Sequence, residues 1–283
     1  MSTRPRRPGP TVRVRVDELR ADVDDRHHED RLATEEPLEV RLAWPGVPAR
    51  RVWVTMRTPG HDFELAAGWV VHEGLAAPED LHTVVYCTDR DLTPEQEFNV
   101  VTVTLDKPPA RDPGHRHTAQ SAGSSACGVC GKDSLDEALA VVAAARWTGA
   151  LPAPDVVRRL PDTLRERQPV FDRTGGVHAA GLFTADGEVL VVREDVGRHN
   201  AVDKVTGARV LAGDSPAAAC LVVSGRAGFE LVQKAAAAGV GALVAVGAPT
   251  SLSADLARRS GLALYGFTGP GRTVRYASGG DAT

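Results

Sequence analysis

Cys127 and Cys130 stand three apart in "CGVCGK", in a chain whose only other cysteines are Cys87 and Cys220. Three chemistries use such a pair. A structural zinc site needs four ligands, commonly a second pair or two histidines; here a single pair exists, with His115 and His117 the nearby histidines that could complete a set. A dithiol–disulfide oxidoreductase needs the first thiol's pKa lowered, as at the head of a helix. A sulfur carrier needs one reachable thiolate that can attack a persulfide and later release the sulfur, with the second cysteine relaying or resolving. Lys132 and the helix expected after it, with Ser134 as N-cap and Glu137 as its capping-box partner, favour a thiolate in both of the last two cases. Local spacing ranks carriage and redox equally.

A second set of residues suits anions. "VVSGRAGFE" reads as a strand ending in Ser224, Gly225 and Arg226 before a helix, a turn that aims backbone N–H groups and a guanidinium at one spot. It lacks the Walker and dinucleotide-binding spacings. "VREDVGRHNAVDK" packs Arg198, His199 and Asn200 beside Gly197, with His199/Asp203 and Asn200/Lys204 each four apart on a helix face. His178 follows two glycines in "TGGVHAAG", and Thr250 lies in "GAPTSLS", another small and polar strand end. Together these strand ends describe a pocket for a large, polar, phosphorylated ligand.

The elements that must hold these residues fall into four segments. Residues 1–36 are an Arg/Asp/Glu-rich flexible charged arm, with a short edge strand at "TVRVRV". Residues 37–105 form a strand-rich N-terminal subdomain around one helix, for which Asp62 is the expected N-cap. Residues 106–132 are a long mobile loop carrying the cysteine pair. Residues 133–283 alternate helices and strands, an α/β region for nucleotide or cofactor. The formal net charge of −4 argues against nucleic acid as the main partner. No apolar run of 18 residues and no secretory signal is present, so a cytoplasmic address with reduced thiols is expected, without membrane insertion. Only four lysines occur, Lys107, Lys132, Lys204 and Lys234, which makes each worth attention.

The segments "TPGHDFELAAGWVVHEG", "CGVCG", "TGGVHAAGLF", "REDVGRHNAVDKVTG", "SGRAGFELVQKAAAAGV" and "GAPTSLSADLA", in that order, resemble the formate dehydrogenase accessory family (FdhD/NarQ). The resemblance implies a three-layer α/β/α cytidine-deaminase-like fold and a homodimer. It also implies a sulfurtransferase that accepts persulfide sulfur from a cysteine desulfurase and passes it to bis(molybdopterin guanine dinucleotide) for the formate dehydrogenase catalytic subunit, with no intrinsic metal. The family's cysteine pair falls on Cys127 and Cys130. Cofactor binding maps onto His178, Arg198, Asn200, Ser224, Gly225, Arg226 and Thr250. Deaminase chemistry itself is not expected, because His178 is followed by Ala179 and Ala180 where the proton-shuttling glutamate would stand. A zinc-stabilised scaffold and a dithiol oxidoreductase are the rival classes.

Overall fold

Valine alternates with charge in "TVRVRVDE", and the structure pairs this stretch. The computed structural model describes residues 7–21, 23–88, 93, 97–113 and 146–280. In it β1 (Thr11–Glu18) and β2 (Arg26–Ala33) make an antiparallel ribbon. The short strand expected at "TVRVRV" is β1, and within the segment expected as a charged arm it pairs with β2 in a regular hairpin. Opposite charges face each other at Arg15–Glu29 and Glu18–Arg26, Arg13 reaches Glu29 diagonally, and Asp17 bonds the His27 ring. Neither face enters a core, and the β2 stretch "RHHEDRLA" has no apolar alternation to read.

The next sheet is set by a clear period of two. Leu38, Val40 and Leu42 are buried while their neighbours are not, which defines the inner face of β3 (Glu36–Trp44). A turn at Gly46, with φ of 80°, returns the chain into β4 (Val47–Arg57). Helix α1 (Asp62–His72) follows, then β5 (Leu81–Tyr86) and β6 (Val100–Leu105), in the sheet order β4-β3-β6-β5. Leu65, Trp69 and Val70 of α1 close this core against Val101 and Val103. Full burial of each such side chain contributes about 1.5–3 kcal/mol. The helix does not start as expected. His61, in the left-handed region at φ 58°, is the N-cap, and Asp62 is the first helical residue. Asp62 is withdrawn from capping because its carboxylate receives the buried Arg57 guanidinium at 2.9 Å and the Tyr86 hydroxyl at 2.8 Å. Residues 106–113 stay attached to this unit, with Asp106 and Ala110 donating to Asp80 and Leu75 carbonyls.

The remaining described chain is α/β. Helices α2 (Pro154–Arg165) and α3 (Pro169–Thr174) precede β7 (His178–Phe183) and β8 (Val189–Asp195). Then α4 (Arg198–Leu211), β9 (Cys220–Val223), α5 (Phe229–Ala237), β10 (Ala242–Ala245) and α6 (Ser251–Arg259) alternate. The chain ends in the hairpin β11 (Ala263–Gly269) and β12 (Arg272–Ser278). The six strands run β12-β11-β10-β9-β7-β8, with β9, β10 and β11 parallel and the flanking strands antiparallel. Four-residue strands such as CLVV and ALVA are buried throughout, as parallel strands covered on both faces must be. Val202 and Val205 of α4, Leu231 of α5 and Leu256 of α6 pack on one face. Val157, Leu160 and Leu164 of α2 pack on the other.

The two sheets are joined through α1 and α4. These helices cross where Gly68 meets Gly207, so closely that a Cβ on Gly68 would lie 1.9 Å from the Asp203 carbonyl oxygen. Only the absence of both side chains permits this approach.

Candidate functional site: a strand-end rim and its cleft

Parallel strands deliver their C-terminal ends to one edge, and the helices that follow start there. Beyond β9 come Ser224, Gly225 and Arg226; beyond β10 come Val246 to Thr250; β11 reaches the same edge at Gly266 and Phe267. Antiparallel β7 begins on this edge with His178, opposite Asp195 at the end of β8. Helices α4, α5 and α6 start from Gly197, Gly228 and Thr250, so three helix N-termini, each with partial positive charge, open on the rim.

Six of the seven residues expected to bind cofactor lie along this rim. The His178 ring covers Gly225, whose Cβ position is 3.6 Å from it. Burial lowers the His178 pKa below its ordinary value, and the charges of Arg198 and His199 lower it further, so the ring is neutral at pH 7. Ser224 Oγ accepts the Ala179 N–H at 2.9 Å, which leaves the hydroxyl hydrogen to donate outward. Arg226 is exposed, and Arg198 is half-buried at the head of α4. Thr250 caps α6, its Oγ1 accepting from the Ser253 N–H at 3.2 Å.

Asn200 is the seventh, and it lies beneath the rim rather than on it. Its amide nitrogen donates to the Met56 carbonyl at 2.8 Å and to Asp195 Oδ1 at 3.1 Å, while its oxygen accepts from Thr55 Oγ1. Asp195 is the centre of this arrangement. Fully buried, it accepts from Lys204 Nζ at 2.7 Å, Gly197 N–H at 2.8 Å and Thr58 N–H at 3.2 Å. Thr58 Oγ1 in turn accepts the Val196 N–H at 3.0 Å. The "TPG" turn of one sheet and the "DVGRHN" loop of the other are thus tied by one buried carboxylate and one buried lysine. Asn200 and Lys204, four apart, both reach Asp195, so the charge-rich motif fixes the rim's backbone.

Lys234 has an equivalent role deeper in the protein. It donates to both oxygens of Asp203 at 2.7 and 2.9 Å, and His72 bonds the same carboxylate from α1. Burial would raise the Asp203 pKa, but Lys234 and His72 outweigh it and keep the group ionised. The other member of the second spaced pair, His199, pairs with Glu230 at 2.8 Å on the neighbouring helix.

Two features of the edge escaped sequence reasoning. Phe267 holds a left-handed backbone at φ 50°, is exposed, and carries the Arg272 guanidinium 5.0 Å from its ring. An aromatic residue in that conformation is strained, and strain of this kind collects at ligand sites. The flanking Gly266 and Gly269 were its only sequence-level clue, and in the structure the register shifts between them. The second is a cleft of about 600 Å³ beside His178 and Ser224, walled by α2 and α3 and including Gln168, Phe171 and Val246. Glu194 fixes α3 there by accepting the Val170 and Phe171 N–H groups at 2.9 and 2.8 Å.

Cys127 and Cys130 lie outside the described residues, as do His115, His117 and the helix expected after Ser134. The two described cysteines, Cys87 and Cys220, are both buried, and neither is in a disulfide. Burial pushes the Cys220 thiol up to about 12. Among the described residues no three His, Cys, Asp or Glu side chains are grouped to hold a metal. No helix among them is long and apolar enough to cross a membrane.

Comparison with known proteins bears on what this edge serves. The model of the FdhD/NarQ family matches residues 33–281. The chain is 49% identical to a sulfur carrier protein FdhD from Streptomyces coelicolor, over 89% of this chain and 88% of that one. It is also 49% identical to a protein of the same description from Mycobacterium tuberculosis, over 83% and 86%. A crystal structure from Desulfotalea psychrophila, assigned as a formate dehydrogenase accessory protein, superposes with a TM-score of 0.73 over 95% of this chain and 98% of that chain. At 22% identity that likeness speaks for the fold. With the family's segments running from the β2 end to the last strand, this chain belongs to the FdhD/NarQ family.

Proposed function

We propose that the protein carries sulfur for the activation of formate dehydrogenase, receiving it on Cys127 from a cysteine desulfurase and delivering it to a bis(molybdopterin guanine dinucleotide) cargo seated on the rim. The observation that carries this reading is the convergence of three helix N-termini with Arg198 and Arg226 on one strand-end edge, an electropositive ledge suited to the cargo's phosphates. Phe267, backed by Arg272, offers a flat face for a heterocycle on the same edge.

The choice of thiol is supported by elimination. Cys87, just past the end of β5, and Cys220, in β9, are both buried, and the Cys220 thiol, pushed up to about 12, is not a nucleophile at pH 7. Cys127 and Cys130 remain, next to Lys132. In the loading step the Cys127 thiolate attacks the outer sulfur of the donor's persulfide. One S–S bond forms on Cys127, the donor's S–S bond breaks, and the donor leaves as a thiolate, with no net oxidation. Cys130 resolves or relays. A reducing cytoplasm, which keeps both thiols free, and a homodimer complete the reading. Helices on both faces of the six-stranded sheet support regarding the unit as a deaminase-type sandwich whose deaminase chemistry is absent, since Ala179 and Ala180 follow His178.

Replacing Cys127 with Ala should abolish activation of formate dehydrogenase while leaving the circular dichroism spectrum and guanine nucleotide affinity unchanged. Full activation by that variant would remove the carrier role.

A further inference from the structure

Helix α3 walls the cleft beside His178 and Ser224, yet little holds it there. None of its six residues is buried. Its main fastening to the sheet is the Glu194 carboxylate, which accepts the Val170 and Phe171 N–H groups. The link to α2 is Arg165, which pairs with Asp172 at 2.6 Å and lies 4.6 Å from the Phe171 ring. Both partners of that ion pair are about half exposed, and such pairs add little. At the far end α3 meets only the β1–β2 ribbon, where a Cβ on Gly176 would lie 3.5 Å from Ala33. That ribbon enters no core of its own.

The seat of α3 also carries a defect. Gln168, its N-cap, is only 2% exposed, and the amide nitrogen has no hydrogen-bond partner among the described residues. Folded proteins retain few buried donors of this kind, because water would satisfy them on exposure. Seated, α3 therefore gains two hydrogen bonds and forfeits one donor. Displaced, it would lose the two bonds and wet the amide. The two positions are close in free energy, and a segment with so few buried apolar contacts opens locally. Gly175, in the left-handed region at φ 63°, and Gly176 follow the helix and can absorb the change in backbone angles.

We propose that α3 is a flap over the cleft, latched by Glu194 and hinged at Gly175 and Gly176, which governs access to the His178 end of the rim. The proposal rests on the cargo reading above for what enters and leaves; the motion itself does not depend on it.

The test is hydrogen exchange followed by mass spectrometry on the full chain, without ligand. In the wild type the amides of residues 170–175 should exchange about a hundredfold or more faster than those of α2. Glu194→Ala, which removes the latch, should speed them by about tenfold or more while α2 and β7 stay unchanged. Glu194→Gln, which keeps one acceptor oxygen, should fall between and serves if the alanine variant does not fold. Gln168→Leu should act in the opposite direction and slow the same amides by about tenfold, because it deletes the unmet donor and keeps an apolar side chain of similar size in the seat. A glutamine that merely supported the fold would give faster exchange when replaced. Exchange of α3 at the rate of α2 in the wild type, or faster exchange in Gln168→Leu, would overturn the flap. For access, dissociation of a fluorescent GDP in stopped flow should be fastest in the Glu194 variant and slowest in Gln168→Leu, and equal rates in both variants and the wild type would overturn control of the cleft. Failure of the cargo reading is distinguishable: the wild type would then not bind GDP at all, which removes the gating role, while the ligand-free exchange pattern decides the motion by itself.

Discussion

Replacing Gly207 with Ala should destabilise the protein strongly, although the same exchange in an exposed helix stabilises. Alanine is favoured over glycine in helix interiors by about 0.5–1 kcal/mol. At this position a Cβ would sit 1.8 Å from the Glu64 carbonyl oxygen and 2.8 Å from the Gly68 nitrogen. Both are backbone atoms of a packed helix, so α1 and α4 must part by roughly 1 Å or more to restore ordinary contact. Overpacking of this kind costs about 1–3 kcal/mol. Separation also stretches the buried His72–Asp203 bond, and disrupting a buried charge network costs about 3–5 kcal/mol when complete. A net loss of about 3 kcal/mol follows, or a Tm fall of roughly 6–12 °C. Thermal melting followed by circular dichroism measures it. Gly68→Ala should behave alike, and the double variant should lose less than the sum, because one separation serves both methyl groups. A Gly207→Ala protein as stable as the wild type would refute the close crossing and, with it, the account of how the two sheets fix the rim.

Three further outcomes are expected. Burial would raise the Glu64 pKa, but hydrogen bonds from Arg193 and His61 outweigh it and bring it from 4.5 to about 2. A carboxylate lowered on folding stabilises above the unfolded value, so this contribution is present above about pH 4.5 and is lost as pH falls toward 2. Urea midpoints should decline less steeply over that window in Glu64→Gln than in the wild type, and parallel declines would contradict the pairing. A maleimide at neutral pH should label Cys127 and Cys130 in the native protein and spare Cys220 until denaturant is added; native labelling of Cys220 at the rate of a free thiol would contradict its burial. Arg226→Ala should weaken GDP binding by about tenfold or more at unchanged Tm, and an unaltered Kd by calorimetry would take Arg226 off the ligand.

What the sequence revealed depended on whether a residue's partner was near it in the chain. The strand that runs up to Ser224 in "VVSGRAGFE" and the glycine-rich strand ends are local patterns, and each is found where the pattern puts it. That Asn200 lies beneath the rim was not legible, because its partners Met56 and Thr55 lie some 145 positions away. Asp62 has the composition of an N-cap, and only the buried Arg57 guanidinium removes it from that role. Strand β2 escaped for the opposite reason, its "RHHEDRLA" having no buried face to impose a period. Gly68 and Gly207 did leave a trace, since a glycine inside a helical pattern costs stability unless something needs the space. The scarcity of lysine was a useful guide: Lys204 and Lys234, half of the four, are buried and join the elements.

The most direct measurement is mass spectrometry of the full chain after incubation with a cysteine desulfurase and cysteine, with the modified peptide mapped. The account predicts an added mass of about 32 Da on the peptide containing Cys127, removed by a reducing thiol and absent from Cys127→Ala. Added sulfur found only on Cys87 or Cys220, or no added sulfur under conditions in which the desulfurase itself is persulfidated, would contradict it.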